Sequence, residues 1–287
     1  MTSSSVAARV RHSMRRRLLL PNALKYLFLS LVAAISAFPD VWMILSSFRE
    51  GSDVFIKGSW LPEVWRFANY PEAMQMAPFD RFFLNSLLTS LLTVGAHLIT
   101  CPLAAFAFAK MEFKSKKFLF SIFLCTMMIP SESTIISNYL TLSALKLTDT
   151  YFAIIAPSLT SMFGIFLLRQ FFKTIPDALL EAARIDGAGT LQVFWWIVLP
   201  LAKSALTTIV IFAFINSWNA YLWPLLVTTR TTMRTVQTGL RYMINPDLGS
   251  EWPKIMAAST VIIMPVLLLF VCLQKYFVQG ITKVGIK

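Results

Sequence analysis

The chain has 287 residues, of which 56% are hydrophobic and only 14% charged, with a mean hydropathy of +0.65. No ordinary soluble domain has that balance, so the bilayer is the first candidate solvent. The formal net charge of +12 would suit nucleic-acid binding only if the cations formed one basic face, and they are instead spread over short stretches between apolar runs.

The first 25 residues form a basic tail that contains His12. Apolar runs long enough to cross about 30 Å follow at 26–46, 83–109, 118–138, 151–172, 200–227 and 255–276. The predicted fold class is all-α integral membrane with six transmembrane helices: a tail over 1–25, then a six-helix membrane domain over 26–287. The first run carries Phe38-Pro39-Asp40-Val41-Trp42 where a cleaved leader would have small residues, so it reads as an anchor that is kept. Asp40 near its outer end is an unusual acid, suited either to the entrance of a solute path or to the interface. The outer connection 48–82 holds Pro62, Pro71 and Pro78 with Trp60, Trp65 and Tyr70, the composition of an ordered cap with interfacial aromatics.

Lys and Arg number seventeen in one alternating set of connections and nine in the other. The positive-inside rule therefore predicts that both termini face the cytoplasm. Cys101, Cys125 and Cys272 all lie in apolar runs without metal-ligand spacing, and an odd number leaves no complete disulfide framework. His97 sits mid-helix, where a lone His is ordinarily packed against a neighbour.

The connection 173–200 is too long for a turn. From Pro176 and Asp177 the sequence favours a helix through Ala178, Leu179, Leu180, Ala182 and Ala183; Gly187 allows a reversal, and Thr190 offers an N-cap for a second helix running to Pro200. Leu179, Leu180, Ala183 and Phe194 are predicted to be exposed apolar residues that need a partner groove. Resting in the headgroup layer is the competing reading, against which stand Glu181, Asp186 and the small Ala182-Ala183 pair.

In the fifth run, Asn216 and Asn219 share a helical face with Trp223 one turn on, a combination of amide and aromatic platform that suits a sugar. For Asn85 and Asn138 an interhelical contact is the ordinary role, and for Trp218 and Asn219 either role stands.

The residues of the 173–200 loop resemble the integral membrane permeases of ABC importers. Glu181, Ala182, Ala183, Gly187, Ile197, Leu199 and Pro200 occupy every fixed position of that family's loop motif, and Asp186 and Ala188 extend it. Phe67-Ala68-Asn69-Tyr70, Asn85-Ser86, Ala104-Ala105-Phe106, Ile129-Pro130 and Trp218-Asn219 resemble the carbohydrate, maltose-type branch. The resemblance implies an import subunit in a bacterial inner membrane, moving a sugar or oligosaccharide, or alternatively another polar solute such as glycerol phosphate, by alternating access. It implies that Leu179, Leu180, Glu181, Ala182, Ala183, Asp186, Gly187 and Ala188 dock on an ATPase, and that Asn85, Asn216, Trp218, Asn219 and Trp223 are candidates for the solute path.

The chain contains no GxxxxGK[ST] phosphate loop, so by this reading it hydrolyses nothing and binds no cofactor; ATP and Mg would sit on the partner. The implied partners are a second homologous permease, two ATPase subunits, an extracytoplasmic solute-binding protein and the lipid membrane. A secondary transporter is a remoter alternative, since no coupling-ion ligands or repeated halves are visible.

Overall fold

The computed structural model describes the backbone of residues 3–51, 60–244 and 250–284, and side chains over 24–51, 60–244 and 250–275. The tail cations before residue 24, the 52–59 part of the outer connection, residues 245–249 and the last cations of the chain lie outside the described side chains. Fourteen α-helices run α1 Ser3–Ser47, α2 Asn69–Gln75, α3 Phe79–Lys110, α4 Lys116–Thr126, α5 Ser131–Ala144, α6 Tyr151–Ile155, α7 Met162–Lys173, α8 Asp177–Ile185, α9 Thr190–Val193, α10 Leu199–Leu201, α11 Lys203–Trp218, α12 Leu222–Val227, α13 Val236–Leu240 and α14 Trp252–Val284, with no strand among the described residues.

Three stretches are long and apolar enough to cross a membrane unbroken: Leu24–Ser47, Phe79–Lys110 and Trp252–Lys275. The other three predicted spans are bent pairs: α4 with α5 at 94°, Tyr151–Ser158 with α7 at 47°, and Thr190–Leu201 with α11 at 79°. The expected continuous runs at 118–138 and 151–172 are therefore interrupted. Pro130 ends one segment because it has no N–H to donate, and Pro157 does the same to the other. The run expected over 200–227 ends at Trp218, with α12 as a separate short helix.

The chain divides into two units, 1–70 with 251–260, and 71–250 with 261–287. In the first, the chain after α1 is tied back onto the end of that helix. Asn69 Nδ2 donates to the carbonyls of Ser47 and Arg49 at 2.8 Å each, Tyr70 and Ser47 share a hydroxyl hydrogen bond of 2.8 Å, and the Phe48 ring packs against Trp65, Phe67 and Tyr70. Trp60 sits edge-on to Phe38 and Trp42. The described aromatics of the connection after α1 thus pack on the end of that helix, while Asp40 lies exposed on α1.

In the second unit, α3 packs against both α7 and α11. Its core runs from Cys101, Phe106 and Phe108 through Leu168 and Phe172 of α7 to Leu180, Phe194 and Val198 of the following loop. Close approach is built in at two glycines. A Cβ on Gly164 would lie 3.1 Å from the Cys101 sulfur, and one on Gly239 would lie 2.1 Å from the Phe82 ring, so α13 can rest on α3 only because residue 239 has no side chain.

Candidate functional site

Interrupted helices release backbone carbonyls, and in an apolar medium each needs a donor. Between α6 and α7 those donors come from one face of α3. His97 Nε2 donates to Ser158 O at 2.8 Å, Thr100 Oγ1 to Leu159 O at 3.1 Å, and the Cys101 thiol to Ser161 O at 3.6 Å. These three residues stand at i, i+3 and i+4, the spacing of one helical face. A carbonyl only accepts, so the His97 bond fixes its Nε2 as the protonated nitrogen. Ser161 caps α7 by accepting from Gly164 N at 3.1 Å, and Thr150 caps α6 by accepting from Ala153 N at 3.1 Å.

The breaks enclose a cavity of about 440 Å³. Thr93 and His97 line it from α3; Ser131, Glu132, Thr134 and Asn138 from α5; Ser158, Thr160 and Ser161 from the α6–α7 break. Asn216 and Ser217 close it from α11, with Tyr221 and Trp223 beyond. The wall combines hydroxyls, amides, the His97 imidazole and one carboxylate with apolar side chains such as Ile135, Ile154 and Leu222 and the rings of Tyr221 and Trp223, with no Lys or Arg among the described lining residues.

Of the five sequence candidates for the path, the structure brings Asn216 and Trp223 to this cavity and gives the other three different surroundings. Asn85 is buried, donating to Thr232 O at 2.8 Å and Arg234 O at 2.9 Å and accepting from the Tyr151 hydroxyl at 2.8 Å. With Ser86, whose hydroxyl accepts from Val236 N at 2.8 Å, it pins the 232–236 segment to the start of α3. Trp218 is 2% exposed, stacked on Phe214, and its indole donates to Ile262 O at 3.0 Å, next to the Val261 carbonyl that Pro265 deprives of a donor. Asn219 ends α11 and accepts from Gln237 at 3.3 Å.

Trp223 also answers a proline. Its indole N–H is shared between Ala153 O and Ile154 O at 3.1 Å each, and Ala153 O is the carbonyl that Pro157 leaves without its helical partner. Sequence reasoning missed His97, Thr93, Glu132 and Asn138 as cavity residues. The available signal was Pro130 and Pro157 inside apolar runs together with a polar stripe on α3.

The loop 173–200 forms the expected helix, reversal and helix. Gly187 adopts φ +86°; Ala188 N bonds to Ala183 O at 2.9 Å and Gly187 N to Arg184 O at 3.0 Å, which is the Schellman termination of α8. The second helix is capped by Gly189 rather than by Thr190 as expected, because the Gln192 side chain reaches back to accept from Gly189 N at 2.7 Å. Burial corrects the predicted apolar face as well. Leu180 and Phe194 are core residues, 4% and 1% exposed, and Ala183 is half-buried, because α8 turns this side onto α7 and α3. Leu179, Glu181, Ala182, Asp186 and Gly187 are exposed, Ala188 is half-buried, and Ile185, unnamed by the sequence reading, is 87% exposed.

The start of α8 is fastened to α3 by Lys110, whose Nζ donates to Ile175 O and to Asp177 Oδ1 at 2.6 Å each. That hydrogen bond and the Lys110 charge hold the Asp177 carboxyl below the usual carboxylate range. On the opposite end of the unit, Asp149 accepts from Thr229 N at 2.7 Å and Arg230 N at 2.9 Å. Slight burial pushes its carboxyl up, but hydrogen bonds from the Thr229 hydroxyl and these two N–H groups, with the Arg230 charge, outweigh it and hold the pKa low.

Residues 101–283 match the family described as binding-protein-dependent transport system inner membrane component. The chain is 38% identical over 205 residues to the sn-glycerol-3-phosphate transport system permease protein UgpE of Yersinia pestis, covering 71% of this chain and 73% of that one. It is 32% identical over 260 residues to the arabinooligosaccharides transport system permease protein AraQ of Halalkalibacterium halodurans, covering 89% and 93%. A solved structure of a bacterial ABC transporter involved in the import of the acidic polysaccharide alginate contains a chain that superposes with a TM-score of 0.79 at 26% identity, over 91% of this chain and 97% of that one.

Proposed function

The chain belongs to the family of binding-protein-dependent transport system inner membrane components, and from that premise we propose that it is a permease subunit of an ABC importer for a neutral sugar or oligosaccharide. The observation that carries the substrate class is the cavity wall: hydroxyls, amides, the His97 imidazole and the Trp223 ring, with Glu132 and no Lys or Arg among the described lining residues. Polyhydroxyl solutes exchange hydrogen bonds with water for hydrogen bonds of the same kind on such a wall and lay their C–H faces on an indole. A glycerol phosphate would bring a dianion beside the Glu132 carboxylate with no described Lys or Arg to pair it, and like charges at close range repel.

In this reading the exposed face of α8, with Leu179, Glu181, Ala182, Ile185 and Asp186, docks on an ATP-hydrolysing partner on the cytoplasmic side, where the Lys and Arg distribution would also put both termini. ATP and Mg belong to two such subunits, a second permease completes the path, and a solute-binding protein delivers from outside. Coupling follows from the packing: Leu180 is seated in the core with Phe106 and Phe172, and Lys110 ties the start of α8 to the end of α3. A displacement of α8 is delivered to the helix whose Thr93 and His97 line the cavity and whose His97, Thr100 and Cys101 hold the α6–α7 break. Alternating access then needs no group of this chain to titrate or react.

The test is solute-stimulated ATPase activity of the importer assembled with its binding protein, across neutral saccharides and glycerol phosphate. Neutral saccharides should stimulate, and Glu132→Lys should weaken that response several-fold. Stimulation by glycerol phosphate alone would overturn the substrate class and leave the coupling reading intact.

A further inference from the structure

The helix Thr190–Leu201 meets α11 at 79°. With α11 crossing a bilayer, this segment runs along the membrane plane, at the depth where the span ends. Its two sides differ completely. Val193, Phe194 and Val198 are 0–1% exposed and belong to the core shared with α3 and α7. On the other side Leu191, Trp195 and Trp196 are 66%, 56% and 80% exposed, around a shallow recess of about 420 Å³ lined by these three and Gln192.

A π-helical turn spans Phe194–Val198. Phe194 and Val198, four apart, share the inward face and leave two successive indoles pointing outward. Two indoles of such exposure are disfavoured in water, so something covers them.

Charge identifies the occupant. From Gly187 to Leu222 the sequence has no acidic residue and one cation, Lys203, exposed just past the bend. The exposed surface of α8 and its end differs, carrying Asp177, Glu181 and Asp186 with one cation, Arg184. A surface with indoles, a lone cation and no acid, continuous with a spanning helix and parallel to the membrane, fits the anionic headgroup and upper acyl region of the bilayer, where indoles concentrate.

We propose that Trp195 and Trp196 on the π-turn are a lipid-interface anchor that fixes the depth of the coupling end of this subunit, separate from the protein-docking face of α8. The anchor gives α8 a fixed base to move against, so that motion of α8 is transmitted inward to α3 rather than lost in tilting of the whole end.

The experiment compares wild type with Trp195→Phe/Trp196→Phe, each as the full chain with its co-purified subunits in lipid nanodiscs. The nanodiscs contain a phosphatidylglycerol mixture brominated either near the top or near the end of the acyl chains. The difference in tryptophan emission isolates the pair. It should be blue-shifted, quenched at least twofold more by shallow than by deep bromines, and little affected by aqueous acrylamide. Quenching by acrylamide instead would put the pair in water and overturn the anchor. Insensitivity to both quenchers, or loss of a subunit from the double variant's complex, would show a protein interface and overturn it equally.

Discussion

The 173–200 loop and the cavity are held by opposite kinds of information. The reversal of the loop is shaped from within it: Gly187 supplies the left-handed turn, Ala183 and Arg184 accept the two terminating bonds, and Gln192 caps the helix that follows, while Lys110 of α3 holds only its start. The cavity is assembled from partners far apart in sequence, with α3 donating to carbonyls some sixty residues away and Trp223 to carbonyls about seventy residues earlier. A local device fails at one residue and leaves the rest standing, whereas a distributed one loses stability and selectivity together.

The largest expected effect tests the local half. Gly187→Val meets open space, since a Cβ there has nothing within 4 Å, so its cost is the backbone alone, about 1–2 kcal/mol for a branched residue at positive φ. Thermal stability of the purified complex should fall by only a few degrees, while solute-driven transport falls more than tenfold because α8 no longer presents its face. Transport that survives at wild-type rate with the ATPase bound would remove the turn from the coupling reading.

A smaller effect tests the distributed half. Trp223→Phe keeps an aromatic ring beside the cavity but removes the donor from Ala153 O and Ile154 O, which should destabilise the chain by about 1–3 kcal/mol and weaken solute affinity several-fold as the α6 end relaxes. Trp218→Phe should cost a similar amount of stability, by the loss of its bond to Ile262 O, without changing solute affinity, because Trp218 does not border the cavity. Thermal unfolding and equilibrium binding on both variants separate these; equal affinity losses would show that the two tryptophans do not differ as described.

The smallest effect concerns pH. Asp149 is held below the usual carboxylate range by its bonds to Thr229 and Arg230. A depressed carboxylate contributes stability that is fully present above the ordinary aspartate value and is lost as pH falls through the lowered one. Wild type should therefore keep a constant margin in melting temperature over Asp149→Asn from about pH 5 to 8, closing only below about pH 4. A margin that varies across neutral pH would point to a different group.

The difference between the regions also explains what the sequence made legible. Six apolar stretches and the loop motif could be read directly, since apolar length and a glycine-terminated helix are properties of contiguous residues. The breaks at Pro130 and Pro157 were visible as prolines but not as bends, because whether a proline kinks or ends a span depends on which neighbour supplies the missing donor. The same dependence hid Trp218 and Trp223. A tryptophan beside an asparagine reads as a solute platform, and its role as donor to a backbone carbonyl of another helix appears only when the facing helix is known. Leu180 and Phe194 were misplaced for a related reason: amphipathic periodicity marks an apolar face without saying whether this chain or another covers it.

Two donors on α3 also bear on how the broken span sits in the membrane. The α6–α7 segment carries carbonyls that its own backbone leaves open at Ser158 and Leu159, so on its own it is a poor candidate for release into lipid. Its missing donors, His97 and Thr100, lie about sixty residues earlier in the chain, on α3. The earlier helix thereby supplies what the later segment lacks, which is what makes a broken span tolerable in an apolar medium.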